Sequence, residues 1–196
     1  MTSLPTSPSA LRNREPIADA LAAVLPASGL VLEIASGSGE HVEHFAQRFS
    51  ALTFQPSERE PAARAAIDAR CERLPNVRPA LALDVLSTWP IEHADAIVCI
   101  NMIHASVPET VAALMKGAAK ILPPGGLLFT YGAYKIGGAH TAPSNEVFDR
   151  WLKEERDPRF GVRDLEHVVA EAEAAGLRLE DRIAMPANNF SLVLRA

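Results

Sequence analysis

The chain has 196 residues, 48% of them hydrophobic, a length that suits one substantial core but not two full catalytic domains. Its formal net charge of −5 excludes the general basic footprint of nucleic-acid-binding proteins, although a local basic groove stays open. The first sixteen residues contain no apolar run, so we expect neither secretion nor a membrane span, but a cytoplasmic protein.

The opening residues are rich in Ser, Thr and Pro, a composition typical of mobile segments. We therefore expect a flexible segment over residues 1–12 and a single domain over residues 13–196. The first helix is predicted to begin at Pro16, because apolar residues recur at helical spacing in PIADALAAVLP.

Strand and helix patterns alternate along the rest of the chain. Apolar runs bounded by turn residues predict strands at 30–35, 51–55, 77–85, 94–102, 127–132, 177–185 and 190–196. Helical periodicity predicts helices around 42–49, 61–74, 108–122, 146–155 and 164–175. This alternation predicts a doubly wound α/β fold with a mostly parallel sheet, and the short PANN link predicts that the sheet ends in an antiparallel hairpin.

The segment VLEIASGSGEHV takes the first strand directly into a turn of small residues and then into a helix. Small residues there let the backbone pass close to a ligand, and the amino end of the helix favours electronegative groups. Glycines also form tight turns that bind nothing, so the spacing alone leaves both readings open. A dinucleotide fingerprint requires a third glycine where this chain has Val42, which disfavours NAD.

Acidic residues occur at three successive strand ends. Glu33 lies in the first strand, Glu58 follows the second and Asp84 ends the third. Glu33 suits a cationic ligand, Glu58 the hydroxyls of a ribose, and Asp84 the amino group of adenine. Each has a plainer alternative, such as a solvated helix start for Glu58 and a turn cap for Asp84. Together they predict a pocket for S-adenosylmethionine, which carries an ammonium and a sulfonium.

The ordered motifs EIASGSG, LDV, NMIH and PPGG resemble those of class I S-adenosylmethionine-dependent methyltransferases. RNREPI, QPSE, INMIH, GVRDLE and MPANNFSLV further resemble an uncharacterised methyltransferase-like family found in bacteria and animals, over nearly the whole chain. This resemblance implies a Rossmann-like sheet of seven strands and a cofactor site at Glu33, Gly37, Gly39, Glu58, Asp84 and Asn101. The flanking residues Ala35, Ser36, Ser57, Val85 and Met102 complete the predicted cofactor site.

The acceptor side is predicted from residues that follow the fourth and fifth strands. His104, in NMIH, is the first candidate for a general base or for a group that orients the acceptor. A histidine in this position serves equally well to hydrogen-bond a loop carbonyl. Tyr131 and Tyr134 are candidates for the wall of the acceptor pocket, or for packing at its rim.

The stretch GGAHTAPSNEVFD is predicted to form a loop over the pocket, which makes His140, Ser144 and Asn145 candidate substrate contacts. Ser144 also suits the amino-terminal cap of the next helix. Asn188 and Asn189 are secondary candidates that also suit turn positions with positive φ. Asn13 is a candidate because an amino-terminal segment of this architecture can close over the cofactor.

No group of His, Cys, Asp and Glu has convincing metal-ligand spacing, and we predict no metal. The predicted function is methyl transfer to an unidentified acceptor. The acidic charge favours a small molecule or a protein as acceptor, and a small molecule is the first choice. Two alternatives remain: a non-catalytic module that binds the cofactor or a partner, and a small NAD-dependent oxidoreductase. The amino-acid sequence does not specify the oligomeric state.

Overall fold

Parallel strands form the centre of the main sheet. The computed structural model describes residues 6–196. Its strands are β1 (Gly29–Ile34), β2 (Leu52–Pro56), β3 (Ala96–Ile100), β4 (Leu127–Gly132), β5 (Tyr134–Ile136), β6 (Ala139–His140), β7 (Arg163–Asp164), β8 (Arg178–Met185) and β9 (Asn189–Arg195). Six of them lie in the order β2-β1-β3-β4-β9-β8, with β1 to β4 parallel and β9 antiparallel to both neighbours. The chain therefore has a doubly wound α/β sheet, with six strands rather than the expected seven.

Helices cover both faces of this sheet. They are α1 (Pro8–Ala22), α2 (Glu40–Arg48), α3 (Pro61–Cys71), α4 (Glu109–Ile121), α5 (Pro143–Glu155) and α6 (Leu165–Ala174). Residues of α4 and α6 pack with Leu32 and Ile97 on one face, and residues of α1, α2 and α3 pack with Val31 and Val98 on the other. Because successive strand residues point to opposite faces, this arrangement requires the continuous apolar runs seen in the sequence.

The third of the seven predicted strands, 77–85, does not form. Isolated parallel bridges join Phe54 to Val77 and Ser57 to Leu81 instead. Between them lies Pro79, which has no N–H to donate to a ladder, and its carbonyl accepts a hydrogen bond from the side chain of Gln55 at 2.7 Å. The segment therefore follows the edge of β2 without becoming a regular strand.

Helix α1 begins eight residues earlier than the sequence pattern predicted. Ser7 is its N-cap, Pro8 occupies the first turn, and Pro16 lies inside the helix. A proline costs little in the first turn, because the first N–H groups of a helix have no partner there. The Ser7 N–H also donates to the buried carboxylate of Glu40. Of the predicted flexible segment, residues 1–5 lie outside the described residues, and residues 8–12 are helical.

The polar stretch 135–145 is not one irregular loop. It contains part of β5 and all of β6, which join β7 in a small second sheet with the order β6-β5-β7. Helix α5 then begins at Pro143 with Ala142 as its N-cap, so Ser144 lies in its first turn rather than at the cap. Between residues 6 and 196, no helix combines the length and apolar character needed to cross a bilayer.

Candidate active site

The turn after β1 has a backbone shape that brings its amide groups close together. Ala35, Gly37 and Gly39 all have positive φ, at 56°, 59° and 85°. The Ser36 N–H donates to the Ser57 carbonyl at 2.9 Å, and the Gly37 N–H donates to Oε2 of Glu58 at 3.2 Å. The turn predicted from SGSG is thus held against the residues that follow β2, and Ala35 adopts the left-handed conformation that glycine usually takes.

A cavity of about 500 Å³ opens at the carboxyl ends of β1 and β3, which we call the cofactor cavity. This is the edge of a doubly wound sheet at which ligands bind. Six of the predicted cofactor residues line it: Ala35, Glu58, Asp84, Val85, Asn101 and Met102. The structure therefore brings two of the three predicted carboxylates to one cavity.

Glu58 and Asp84 each use a carboxylate oxygen to organise the backbone that follows them, while the other oxygen of Glu58 accepts from Gly37. Oε1 of Glu58 accepts from the N–H of Arg59 at 2.7 Å, and Oδ1 of Asp84 accepts from the N–H of Leu86 at 2.9 Å. Asp84 therefore also caps the following turn, as the alternative interpretation expected. Its other oxygen, Oδ2, makes no hydrogen bond to any described residue, which leaves an acceptor at the cavity wall.

Glu33 lies outside the cofactor cavity and is almost completely buried. Its Oε2 has no hydrogen-bond partner among the described residues. Burial raises the pKa of Glu33 to about 7, and the negative charges of Glu40 and Glu58 add to the shift. A buried carboxyl with one unpartnered oxygen, close to a cavity that carries two more carboxylates, fits a cationic ligand such as S-adenosylmethionine.

Four other predicted cofactor residues support the turn rather than line the cavity: Ser36, Gly37, Gly39 and Ser57. Ser57 is fully buried, and its Oγ donates to the Glu33 carbonyl at 2.7 Å. A Cβ on Gly39 would lie 3.3 Å from the Cα of Ile67, so Gly39 allows close packing between the turn and α3. These residues set the shape of the cavity wall from behind.

A second cavity of about 460 Å³ adjoins the first, and we call it the acceptor cavity. Its walls come from α1, the end of β4, the start of α5 and the turn before β9. Asn101 lines both cavities and has a positive φ of 60°. Five predicted acceptor-side residues line this cavity: Asn13, Tyr131, Ser144, Asn145 and Asn189.

A chain of hydrogen bonds leads into the acceptor cavity from α2. Nε2 of His41 lies 2.8 Å from Oδ1 of Asn13, and the Asn13 side chain hydrogen-bonds the hydroxyl of Tyr131. Burial lowers the pKa of His41 to about 4, so the neutral ring donates to Asn13. Burial also raises the pKa of Tyr131, so its hydroxyl stays protonated and has a proton to donate to a ligand.

His104, the first candidate for a general base, lines neither cavity. It is fully buried, its Nδ1 accepts the N–H of Arg163 at 3.2 Å, and its ring meets the Tyr134 ring edge to face at a centroid distance of 4.9 Å. Burial lowers the pKa of His104 to about 3, and the nearby Arg163 charge lowers it further. The residue is a neutral histidine in the core, and the structure places this candidate base away from both cavities.

Three further predicted acceptor-side residues also lie away from the acceptor cavity. Tyr134 is fully buried and shares a 2.8 Å hydrogen bond with the hydroxyl of Thr130. Nε2 of His140 lies 3.4 Å from the carboxylate of Asp149. Asn188 has the expected positive φ, and its carbonyl accepts from the Asn145 side chain at 2.9 Å, whereas Asn189 has a negative φ.

Several residues that line these cavities belong to no motif that predicts them. Arg59, Asp157, Arg159 and Phe160 line the cofactor cavity, and Arg12 and Phe148 line the acceptor cavity. The arginine after Glu58 and the turn-forming sequence DPRFG were the available signals, but neither specifies which way the side chains point. Among residues 6–196, no three His, Cys, Asp or Glu side chains form a group that could hold a metal ion.

A family model described as "Protein of unknown function (DUF938)" matches residues 4–196. Among solved structures, the chain is similar to the mitomycin 7-O-methyltransferase MmcR, with 18% identity and a TM-score of 0.81 over 95% of this chain and 54% of that one. It is also similar to an O-methyltransferase family 2 protein from Planctomyces limnophilus in complex with apigenin, with 22% identity and a TM-score of 0.78 over 96% and 60% of the two chains.

Human N-acetylserotonin methyltransferase in complex with SAM shares 14% identity and a TM-score of 0.79, over 95% of this chain and 52% of the human one. This chain therefore spans only a little over half the length of these solved proteins. At this level of identity, the likeness shows that the chain has the Rossmann-like fold of methyltransferases.

Proposed function

The chain belongs to the DUF938 family of proteins of unknown function, and we propose that it is an S-adenosylmethionine-dependent methyltransferase with a small-molecule acceptor. The observation that carries this proposal is that two cavities meet at Asn101, one of them lined by Glu58 and Asp84. Methyl transfer needs two ligands side by side, and this arrangement provides a place for each.

The residues of the cofactor cavity fit an adenosyl group with positive charge. In the proposed complex, Glu58 accepts hydrogen bonds from ribose hydroxyls, and Asp84 accepts one from the adenine amino group through its free Oδ2. Glu33 supplies a buried carboxyl beneath the turn, and a cationic ligand close to it would favour its ionised form. When bound, S-adenosylmethionine provides a methyl carbon activated by the positive sulfur. The protein therefore contributes mainly by orienting the acceptor and excluding water.

The likeness in fold supports the same proposal. Two of the similar structures are small-molecule methyltransferases by name, and a third was solved with apigenin. We propose further that the DUF938 family is the methyltransferase-like family of bacteria and animals that the motifs resemble. We also propose that the chain forms one catalytic domain, which includes α1 from Pro8 because Ser9 and Arg12 line the acceptor cavity, and that the protein acts in the cytoplasm.

Cofactor binding is tested by thermal unfolding with S-adenosylmethionine, S-adenosylhomocysteine and NAD, each in excess. A ligand that binds only the native state stabilises it by about 2.7 kcal/mol at a hundredfold excess over Kd. We expect the first two ligands to raise the Tm and NAD to leave it unchanged. A rise with NAD alone would overturn the proposal in favour of an oxidoreductase.

Asp84→Asn tests the adenine contact directly. Loss of a hydrogen bond to a charged group costs about 1.5–3 kcal/mol, which corresponds to a rise in Kd of roughly 10- to 100-fold for S-adenosylmethionine, measured by calorimetry. Asp181→Asn is the matched control, because Asp181 is exposed on β8 and lines neither cavity. An equal loss in both variants would remove Asp84 from the site.

Turnover is tested by incubating cell extracts with the protein and cofactor radiolabelled in the methyl group. Label in a small-molecule fraction that disappears with Asp84→Asn supports an enzyme. Tight cofactor binding without label transfer supports the non-catalytic module instead.

A further inference from the structure

The acceptor cavity holds no side chain suited to take a proton. Apart from the Arg12 guanidinium, the polar side chains that line it carry amides and hydroxyls, supplied by Ser9, Asn13, Asn101, Tyr131, Ser144, Asn145 and Asn189. No Asp, Glu, His or Lys lines the cavity in the part of the chain that the structure describes, and the remaining five residues, MTSLP, contain none. The cavity therefore offers hydrogen-bond donors and acceptors but no general base.

Two histidines that contact wall residues or lie next to them are also held out of this role. His104 lies behind Gly132, where a Cβ would be 2.2 Å from its Nε2, and it lines neither cavity. His41 reaches the cavity only through Asn13, to which it is hydrogen-bonded. Tyr131 does line the cavity, but its hydroxyl stays protonated and accepts from Asn13, so it acts as a donor to a ligand.

The charged side chain at the acceptor cavity is that of Arg12, and it is positive. The exposed Arg12 guanidinium forms no hydrogen bond or ion pair with any described residue, so nothing neutralises it locally. The walls also present flat apolar surfaces from the Phe148 ring and from Pro16 and Pro186. These features complement a planar ring that carries negative charge.

Building on the proposed function, we infer that the acceptor is a small planar compound whose methyl-accepting oxygen or sulfur is already anionic at neutral pH. Arg12 and the Tyr131 hydroxyl bind the anion, and the flat apolar walls bind the ring. Acidic phenols, aryl thiols and aryl carboxylates share this chemistry.

The reaction balances without any protein group exchanging a proton. A lone pair of the anion forms a bond to the methyl carbon, while the carbon–sulfur bond breaks and its electron pair stays on sulfur. The products are the neutral methyl ether, thioether or ester and S-adenosylhomocysteine. The negative charge of the acceptor and the positive charge of the sulfonium cancel as the new bond forms. The attraction between the two charges is stronger in a site shielded from water.

The pH dependence of kcat/KM tests the inference, with 4-nitrophenol, 4-cyanophenol, phenol, 4-nitrothiophenol and 4-nitrobenzoate as acceptors. If the anion is the substrate, the rising limb of each profile follows the ionisation of that acceptor and moves from one acceptor to the next. Comparison of the phenol, thiol and carboxylate series identifies the reacting atom.

Three outcomes would contradict the inference. An inflection at the same pH for every acceptor would reveal a general base in the protein. Cofactor binding by calorimetry with no methylation of any ionised acceptor would also overturn it, while leaving the cofactor site intact. Absence of cofactor binding would overturn the proposed function, and the inference with it.

A binding measurement tests Arg12 without turnover. With S-adenosylhomocysteine present, the absorbance shift of 4-nitrophenolate reports its Kd, and Arg12→Gln should raise that Kd about fivefold, as expected for an exposed charge pair. Arg73→Gln is the matched control, because Arg73 is exposed, lines neither cavity and forms no hydrogen bond or ion pair with a described residue. Binding of neutral 4-nitroanisole should stay unchanged in Arg12→Gln. Equal losses for the neutral and anionic ligands would overturn the role of Arg12.

Discussion

Tyr131 on β4 and Tyr134 at the start of β5 lie three residues apart, but their surroundings differ. The Tyr131 hydroxyl belongs to the acceptor cavity, whereas the Tyr134 hydroxyl pairs with Thr130 in the core. Tyr134→Phe should therefore destabilise the fold by about 1 kcal/mol, the usual net value of a hydrogen bond, without lowering methyl transfer.

Tyr131→Phe should show the opposite pattern, with about a tenfold loss in kcat/KM and little change in stability, because it removes a donor to the acceptor. Urea unfolding and steady-state assays of the two variants check this pair of expectations. Loss of turnover in Tyr134→Phe alone would contradict the assignment of the acceptor cavity.

Glu33 should make the protein less stable as the pH rises through the neutral range. Its pKa is raised from 4.5 in the unfolded chain to about 7 in the folded protein, so the folded state holds the extra proton between these values. The stability that Glu33 contributes is fully present below its pKa in the unfolded chain. It is lost as the pH rises to its pKa in the folded protein. The loss is on the order of 3 kcal/mol.

Glu33→Gln should remove this loss. The variant should gain stability over the wild type at about pH 8 and match it at about pH 4.5, as measured by urea unfolding without cofactor. A constant difference across the pH range would indicate that Glu33 is ionised or hydrated in the folded protein.

The sequence predicted the positions of polar residues at strand ends better than the directions of the His104 and Tyr134 side chains. Glu58, Asp84 and Asn101 follow strand ends, and parallel strands bring those ends to one edge, so strand prediction alone placed them at a common cavity. His104 and Tyr134 also follow strands. The direction in which these two side chains point depends on contacts with Gly132, Thr130 and the Arg163 backbone. No local sequence pattern encodes these contacts.

At the scale of elements, Arg163 on β7 holds the loop that follows β3. Its Nε donates to the Ile103 carbonyl at 2.8 Å, and its Nη2 donates to the Ser106 carbonyl. Ser106 lines the cofactor cavity, so this contact links the small sheet to the cofactor site. The sequence carried no signal for it, because the contact joins residues about 60 positions apart.

Arg163→Gln should lower stability by about 1–3 kcal/mol, because it leaves buried carbonyls without partners. It should also raise the Kd for S-adenosylmethionine. The rise is roughly tenfold if about half of the lost free energy weakens cofactor binding through the loop that follows β3. Thermal unfolding and calorimetry check both effects. Arg150→Gln is the control, since that exposed side chain pairs only with Glu146 on the same helix. Unchanged cofactor affinity in Arg163→Gln would separate the loop from the site.

Helices and central strands were predictable because their apolar spacing is strong, but their ends were not. The first helix starts at Pro8 because Ser7 caps it and Glu40 binds the Ser7 N–H, a contact between residues 33 positions apart. The third predicted strand failed at Pro79, where one missing N–H outweighed the alternating apolar pattern.

For the molecule as a whole, two buried neutral histidines should limit stability in acid. Burial lowers the pKa values of His41 and His104 from 6.5 to about 4 and about 3. Below the unfolded value, the unfolded state binds protons that the folded state does not, so stability falls as the pH decreases. At about pH 5 the cost is roughly 2 kcal/mol for each histidine, and Glu33 offsets part of it.

Urea unfolding between about pH 4.5 and 7.5 measures this dependence. Glu33→Gln should steepen the acid side of the profile, because it removes the one group whose proton uptake favours the folded state there. A flat profile in that variant would mean that the two histidines accept protons in the folded protein.

The position of β9 has a consequence for how the protein is made. This strand comes last along the chain, yet it lies between β4 and β8 inside the sheet, paired with both. A nascent chain that has already formed β1 to β4 must keep the free edge of β4 unpaired until residues 189–195 have left the ribosome. During synthesis, that open edge is exposed to pairing with strands of other chains. A chaperone that covers it would prevent this aggregation.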